Sequence, residues 1–219
     1  MSSALLLPGD TTPSGDMCMQ PTVFVEHDRR SYTFTAQKRY IPVAGDIVVG
    51  TVVHKSADYY RVDIRAASLA VLPVTAFNGA TKRHKPNLNV GSPVICYITV
   101  ADPFMDVELS CEDKSTQKDW SSNETLYGPL STQLPCLISE VSLCYAEQLQ
   151  SSNTLPLINA LGRNFKFEIA VGKNGKVFIT TWTHREVLGI TKAVVQAERL
   201  TGIQTEALCK AIKQNLDHE

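Results

Sequence analysis

The sequence lacks an excess of either charge, and this bears directly on what the protein could bind. Lys and Arg number 21 against 22 Asp and Glu in 219 residues, which gives a formal net charge of −1. A free-standing nucleic-acid binder is usually basic overall. Any binding of nucleic acid is therefore expected to depend on a local patch of cations.

Long apolar runs are missing as well. No run approaches the roughly 18 apolar residues that a membrane-spanning helix needs, so we expect no membrane segment. The start of the chain, MSSALLLPGD, has a short apolar run without a basic leader, and we expect no signal peptide. Hydrophobic residues still make up 43% of the chain, which is enough to build the cores of two or three small domains.

The constellations that enzymes and metal proteins use are absent from the sequence. None of its six cysteines stands in a CxxC pair, which favours buried, reduced thiols. The five histidines lack metal-ligand spacing, and no nucleophile elbow, Walker loop or H-E-x-x-H motif occurs. Asp102, Asp106 and Glu108 are near enough in sequence to hold Mg²⁺, although an exposed hairpin rim is the favoured interpretation. We expect no enzyme, no cofactor and no metal site.

What the sequence does contain is a series of short alternating runs separated by Gly, Pro and Asn, which predicts a multidomain β plus α/β protein. An N-terminal β unit is expected at 1–42, with strands in TVFVE and SYTFTA. A small antiparallel barrel of the five-stranded OB type is expected at 43–112, followed by a polar linker at 113–125. The predicted barrel strands lie near 47–55, 59–64, 69–72, 93–100 and 105–110.

A C-terminal α/β domain is expected at 126–219. Its order is a strand in LPCLIS, a helix near 142–150, a short helix in LPLINAL, two strands in FKFEIAV and KVFITT, and then helices. Asn174-Gly175 between the two strands predicts a hairpin with a type I′ turn. Thr183 and Glu186 form a capping box that begins the next helix, for which Gly202 is a plausible stop. The apolar positions expected to line the two last helices are Val187, Ile190, Val194 and Ala197, then Leu208, Ala211, Ile212 and Leu216.

A basic loop, Lys82-Arg83-His84-Lys85, interrupts the barrel and is the first candidate for binding nucleic acid. Each cation near a phosphate adds a salt-sensitive attraction that is independent of base sequence. Pro86 stiffens the exit of the loop and favours a positioned loop over a mobile one. A solvated loop without a ligand is the alternative.

Two tyrosines at the start of the second barrel strand are further candidates. Tyr59 and Tyr60 stand beside Lys55 and Arg61, and an exposed tyrosine there could stack a base, worth roughly 1–3 kcal/mol. Consecutive strand residues face opposite sides, so at most one of the two can sit in the core while the other faces out. Packing in the core or in a hairpin is about equally compatible with the sequence.

The motif Gly172-x-Asn174-Gly175 also matches the GXXG loop with which KH domains clamp RNA. In those domains the loop joins two helices, whereas here it lies between two predicted strands. A structural turn is therefore favoured over an RNA clamp.

Taken together, these segments resemble the exosome component 3 family, an S1/KH-domain cap subunit of the eukaryotic RNA exosome. The resemblance covers nearly the whole chain in the same order, and its basic-loop and G-x-N-G segments are the specific parts. The matching stretches are LLPGD (6–10), KRYIP followed by GDIVVG (38–50), AFNGATKRHKPNLNVG (76–91) and FEIAVGKNGKVFI (167–179).

The resemblance implies a non-catalytic role in which three S1-containing subunits cap a six-membered ring of inactive phosphorolytic-nuclease folds. Single-stranded RNA would thread through the pore to an attached 3′→5′ nuclease. It implies that Lys82, Arg83 and Lys85 contact RNA and that the G-x-N-G turn packs between the S1 barrel and a KH-type domain. It also implies that the PGD region and parts of the KH-type domain face the ring, and that the protein works in the nucleus, the nucleolus and the cytoplasm.

Two other functions remain open from the sequence. One is a stand-alone S1-type RNA-binding factor in translation or ribosome assembly, which would need a larger basic surface than this chain has. The other is a nuclease in its own right, which would depend on Asp102 or Asp106. For a cap subunit we expect the isolated chain to bind RNA weakly.

Overall fold

An antiparallel hairpin opens the described part of the chain. Its strands are β1 (Val23–His27) and β2 (Arg30–Phe34), which confirms the two strands predicted there, and they belong to a unit that ends at Lys38. The LLPGD segment lies outside the described residues. The computed structural model describes residues 23–27, 30–34, 39–81, 83–102, 104–113, 119–120, 125–150, 156–198 and 202–217.

The second unit begins with a closed barrel. Its strands hydrogen-bond in the order β3-β4-β5-β7-β6, and pairing of β3 with β6 closes the ring. All neighbours are antiparallel except β5 and β7, and a short strand β8 (Gly128–Pro129) extends the sheet beside β6. The predicted five-stranded OB-type barrel is confirmed. The barrel strands are β3 (Ile47–Lys55), β4 (Tyr59–Asp63), β5 (Ala70–Pro73), β6 (Pro93–Val100) and β7 (Glu108–Ser110).

Alternating apolar side chains fill the barrel, since successive residues of a strand point to opposite faces. Val48, Val62, Leu72 and Ile98 are fully buried there. The last barrel strand starts at Glu108 rather than near 105, because the Met105 amide donates to the Asp102 carbonyl (3.3 Å) instead of to a neighbouring strand. Of the described cysteines, Cys96, Cys111 and Cys209 are buried.

The C-terminal α/β domain follows the predicted order of elements. Its antiparallel sheet has the strand order β10-β11-β9, and the helices pack with it around a second apolar core. None of the described helices is long and apolar enough to cross a membrane. The elements are β9 (Cys136–Glu140), α1 (Leu143–Gln150), α2 (Pro156–Gly162), β10 (Phe167–Val171), β11 (Lys176–Thr181), α3 (His184–Ala197) and α4 (Gly202–Asp217).

Helix α3 begins as predicted and ends earlier than predicted. The Thr183 hydroxyl accepts from the Glu186 amide (3.3 Å), which satisfies one of the free N–H groups of the first turn. Its four predicted apolar positions are buried. Gly202 does not end this helix, because it is the first residue of α4. The backbone N–H groups of the first turn of a helix have no hydrogen-bond partner within that helix.

The buried face of α4 differs from the predicted one. Thr205 and Cys209 are buried, and Leu208 and Ile212 pack at the edge of the core. Ala211 is exposed, so its place in the predicted face was wrong. Thr205, Cys209 and Ile212 are three to four residues apart, which is the spacing of side chains on one face of a helix. Ala211, directly before Ile212, lies outside that face.

Candidate nucleic-acid interface

The basic loop has a defined shape. The Thr81 amide donates to the His84 carbonyl (2.8 Å), and the His84 amide donates to the Thr81 hydroxyl (3.0 Å). The His84 ring lies 5.1 Å from the indole ring of Trp120, whose amide donates to the Asn78 carbonyl (3.0 Å). The loop is therefore closed on itself and anchored on an aromatic side chain.

Trp120 was missed by the reasoning from sequence, which placed it in a polar linker. Its side chain packs against the barrel core, and its Nε1 atom is buried without a hydrogen-bond partner among the described residues. A lone tryptophan in a polar run was the only signal in the sequence. In the structure, Trp120 lies against the barrel.

Two lysines tie the basic loop to the turn between β3 and β4. Lys85 Nζ donates to the carbonyl of Ala57 (2.7 Å), and Lys55 Nζ donates to Asn87 Oδ1. Arg83 is exposed at the tip of the loop. We call this surface, Lys55 with residues 83–87, the basic rim. Lys82 lies outside the described residues.

The two tyrosines are divided between the core and the surface. Tyr60 is buried, and its hydroxyl donates to the Pro86 carbonyl (2.6 Å), so Tyr60 cannot stack a base and its place among the RNA-binding candidates was wrong. Tyr59 is 37% exposed, and the Arg61 guanidinium lies 5.8 Å from the centre of its ring. Arg61 also pairs with Asp106 (3.1 Å), which compensates its charge.

The structure brings Lys55, Lys85 and Tyr60 together around the turn between β3 and β4. Tyr60 holds the basic loop from inside the barrel through Pro86, while Tyr59 faces out on the adjoining strand. Among the ion pairs of the described residues, none engages Lys55, Arg83 or Lys85. Cations at such a rim attract phosphates by charge, an attraction that does not depend on base sequence.

The G-x-N-G motif lies where β10 turns into β11. The Gly175 amide donates to the Gly172 carbonyl (3.0 Å), and the Gly172 amide donates to the Lys176 carbonyl (2.9 Å). Only Gly175 of this turn has a positive φ, 78°. The hairpin was predicted correctly but the type I′ turn was wrong, because that turn needs a positive φ at Asn174 as well.

Asn174 uses its side chain to join the hairpin to the barrel. Its Nδ2 atom donates to the carbonyls of Val49 (2.8 Å) and Ile64 (2.9 Å), and its Oδ1 atom accepts from the Val49 amide (3.3 Å). Asn174 is fully buried. Thr51 and Asp63 are the last residues of β3 and β4 that pair with each other. The hydrogen bonds of Asn174 lie just beyond this pair, so its side-chain amide takes the place of strand-to-strand bonds where β3 and β4 separate.

Two lysines of the same hairpin add ion pairs with the barrel. Lys173 Nζ lies 2.7 Å from Asp46 Oδ1, and the Tyr40 hydroxyl donates to the other oxygen of Asp46 (2.7 Å). Lys176 Nζ lies 2.6 Å from Asp63 Oδ2. Burial by itself would raise the pKa of Asp63, but hydrogen bonds from Lys176 and from the Arg65 amide lower it below its usual value.

Burial and its bond to Asp46 raise the pKa of the Tyr40 phenol, so the phenol stays protonated and remains a donor at neutral pH. Asp46 therefore receives one neutral and one charged donor at the same carboxylate. Both domains contribute to this pairing, since Tyr40 and Asp46 precede the barrel strands and Lys173 belongs to the hairpin turn.

Neither glycine of the motif has room for a side chain. A Cβ atom at Gly172 would lie 2.4 Å from the Val49 amide nitrogen, and one at Gly175 would lie 2.6 Å from Arg65 Nη1 of the barrel. Contact with the barrel thus covers the turn. The surfaces that an RNA clamp would expose are buried in the domain junction.

Two of the three carboxylates considered for Mg²⁺ have other contacts. Asp102 Oδ1 accepts from the Phe104 amide (2.8 Å), and Asp106 pairs with Arg61. Within the described ranges, no group of three or more potential ligands is placed to hold a metal ion. The exposed-rim interpretation fits these contacts.

Comparisons with known proteins agree with this architecture. Residues 40–121 match the family model for the S1 domain of exosome complex component RRP40. The chain is 36% identical over 180 residues to exosome complex component rrp40 of Schizosaccharomyces pombe, covering 82% of this chain and 71% of that protein. It is 34% identical over 170 residues to a putative rrp40 of Dictyostelium discoideum, covering 78% and 68%.

A solved structure of a putative exosome complex RNA-binding protein superposes with a TM-score of 0.58, covering 82% of this chain and 99% of that one. At 21% sequence identity this likeness supports the fold alone. The resemblance to an exosome cap subunit is confirmed at the level of the family, for which the comparisons give the name RRP40. The chain belongs to the RRP40 family of exosome complex components.

Proposed function

We propose that the chain is a non-catalytic cap subunit of the RNA exosome. It stabilises the ring of nuclease folds and guides single-stranded RNA toward the central pore for 3′→5′ processing and degradation. The observation that carries this proposal is the basic rim. On a chain with a net charge of −1, a loop anchored on Trp120 and tied to the β3–β4 turn presents Arg83 to solvent.

The rim suits a guide better than a specific reader. Its cations reach phosphates, and an exposed ring beside it, Tyr59, has a π-face that accepts any base. Contacts of this kind hold a strand weakly and let it slide, because they depend on charge rather than on base edges. This supports weak RNA binding by the chain alone and stronger engagement inside an assembly with further contacts.

For the C-terminal domain we propose a KH-type fold in a structural role. Its order β9-α1-α2-β10-β11-α3 and its three-stranded sheet support that assignment. The loop between the two helices, where a KH domain carries its GXXG clamp, reads SSNTL at 151–155 and has no glycine. The hairpin turn of the domain is used for the junction with the barrel instead. We keep 1–42, 43–112 and 126–219 as the proposed domains and 113–125 as the proposed linker.

The partners we propose follow from family membership. They are the ring subunits of the phosphorolytic-nuclease fold, the other S1-containing cap subunits and single-stranded RNA. We further propose the nucleus, the nucleolus and the cytoplasm as the places where the protein works. No cofactor enters the proposed role.

The experiment that tests the RNA path replaces Arg83 with Glu in the assembled complex. Arg83 makes no described contact that holds the fold, so the variant should assemble normally. RNA affinity should fall several-fold, and the slope of log affinity against log salt should drop by about 0.7 for each lost phosphate contact with a single strand. A labelled oligouridine titrated at several salt concentrations measures both quantities.

The matched control is Lys192→Glu, which makes the same change of charge at an exposed position of α3. It should leave both affinity and slope unchanged. An Arg83→Glu complex that binds oligouridine like the wild type would refute the guiding role. A variant that no longer assembles would show instead that the loop contacts a ring subunit. A wild-type chain that purifies alone or with ribosomes would refute the cap assignment itself.

A further inference from the structure

The loop between β6 and β7 carries an unusual exposed apolar pair. Phe104 is 96% exposed and Met105 is 59% exposed, and Phe104 is the most exposed of the large apolar side chains in the described part of the chain. We call this pair the apolar tip. Aromatic side chains and Met are enriched in protein interfaces, and exposed apolar patches on a protein surface often mark a site of interaction.

Hydrogen bonds and one ion pair hold the apolar tip in shape. Asp102 Oδ1 accepts from the Phe104 amide (2.8 Å), and the Asp102 carbonyl accepts from the Met105 amide (3.3 Å). Asp106, directly after the tip, is tied to Arg61 on β4 (3.1 Å). The pair is thus displayed on a turn of defined geometry, which lowers the entropy lost when a partner covers it.

The charge around the apolar tip is negative. Residues 102–108 contain three carboxylates, from Asp102, Asp106 and Glu108, and no Lys or Arg. All three residues are exposed, and Arg61 offsets one of them. RNA phosphates would be repelled here, whereas a protein surface with Lys or Arg around an apolar pocket would be attracted.

The apolar tip is placed by β4 and β5. Asp106 contacts Arg61 of β4, and the Val71 amide of β5 donates to the Val107 carbonyl (2.8 Å). The basic rim is built on the turn that follows the end of β3 and is held there by Lys85. The tip therefore presents its own surface, in which carboxylates surround the apolar pair, whereas the rim presents cations.

We propose that the apolar tip is a docking element that inserts Phe104 and Met105 into an apolar pocket rimmed by Lys or Arg on another exosome subunit. The proposal rests on the cap function proposed above, and it specifies which surface of the barrel makes a protein contact. Asp102, Asp106 and Glu108 give the contact its charge preference, and the side chain of Phe104 gives it most of its apolar area.

Photo-crosslinking tests the proposal in the intact complex. Phe104 is replaced by p-benzoylphenylalanine, the chain is assembled with the other exosome subunits of the same organism without RNA, and the cross-linked peptides are identified by mass spectrometry. The expected product joins residue 104 to a peptide of another subunit with apolar residues beside Lys or Arg. The same replacement at Val90, which is 67% exposed, should not capture that peptide.

A second measurement uses Phe104→Ser, which removes the ring without disturbing a core because the side chain is exposed. The Kd of the labelled chain for the rest of the complex should rise about 30-fold, as for the loss of a central interface residue. Phe104→Leu should stay within about threefold of the wild type, and Val90→Ser should match it.

Three results would overturn the proposal: a cross-link within the chain itself, no protein cross-link in an assembled complex, or tight retention of Phe104→Ser. Cross-linking of residue 104 to added RNA in place of protein would overturn it as well. A wild-type chain that fails to join the other subunits would refute the cap function, which separates the two failures.

Discussion

Three hydrogen bonds of the Asn174 side chain join the C-terminal domain to the barrel, and removing them should lower the free energy of unfolding strongly. Replacing Asn174 with Ala removes two donors and one acceptor from a fully buried position. The groups left without partners are the amide and carbonyl of Val49 and the carbonyl of Ile64. Both residues are fully buried, so water cannot readily replace the lost bonds.

The size of the effect follows from the three bonds. A buried polar group that loses its partner costs about 1–3 kcal/mol, so three such groups at the lower half of that range give roughly 3–6 kcal/mol. Whole domains are stable by only about 5–15 kcal/mol. Asn174→Ala should therefore separate the hairpin from the barrel or unfold a large fraction of the chain. Asn174→Asp should be at least as harmful at neutral pH, because a carboxylate has no proton to donate to the two carbonyls.

Urea unfolding followed by tryptophan fluorescence measures the loss as a shift of the midpoint. Hydrogen exchange at the Val49 amide reports the junction directly, and protection there should fall in both variants. Asn89→Ala, at an exposed loop position, is the control and should shift the midpoint little. A loss below about 1 kcal/mol for Asn174→Ala, or full tolerance of Asn174→Asp, would refute the role given to the side-chain amide.

Two further predictions concern the barrel. Asp63→Asn removes the negative charge that pairs with the buried Lys176 and should destabilise the chain at pH 7. Because the pKa of Asp63 is lowered in the folded state, its contribution is present above the unfolded value near 3.9 and is lost as the pH falls through the folded value. Urea midpoints of wild type and variant should therefore converge below about pH 4, and a constant difference would contradict this. Tyr60→Phe should cost roughly 1–3 kcal/mol by orphaning the Pro86 carbonyl, while Tyr59→Phe leaves the unfolding midpoint unchanged.

Local features of the fold were predictable because they depend on neighbouring residues. Strands β3 and β6 were predicted with their observed ends, and the Thr183 cap was placed correctly. Strand alternation and helix capping depend on residues that are close together in the sequence. The turn at Gly172 was predicted as a hairpin but with the wrong turn type. Its backbone is set by the bonds of Asn174 to a strand 125 residues away, which no short window contains.

For the basic rim as well, some features could be predicted from the sequence and others could not. Composition, turn residues and alternation were enough to predict a barrel that carries a cationic loop beside two tyrosines. They could not predict that Tyr60 faces the core, that Trp120 contacts His84 or that Lys85 ties the loop to the β3–β4 turn. Alternation requires two neighbouring strand residues to face opposite sides, but the pairing register and the packing against distant strands decide which of the two sides is buried.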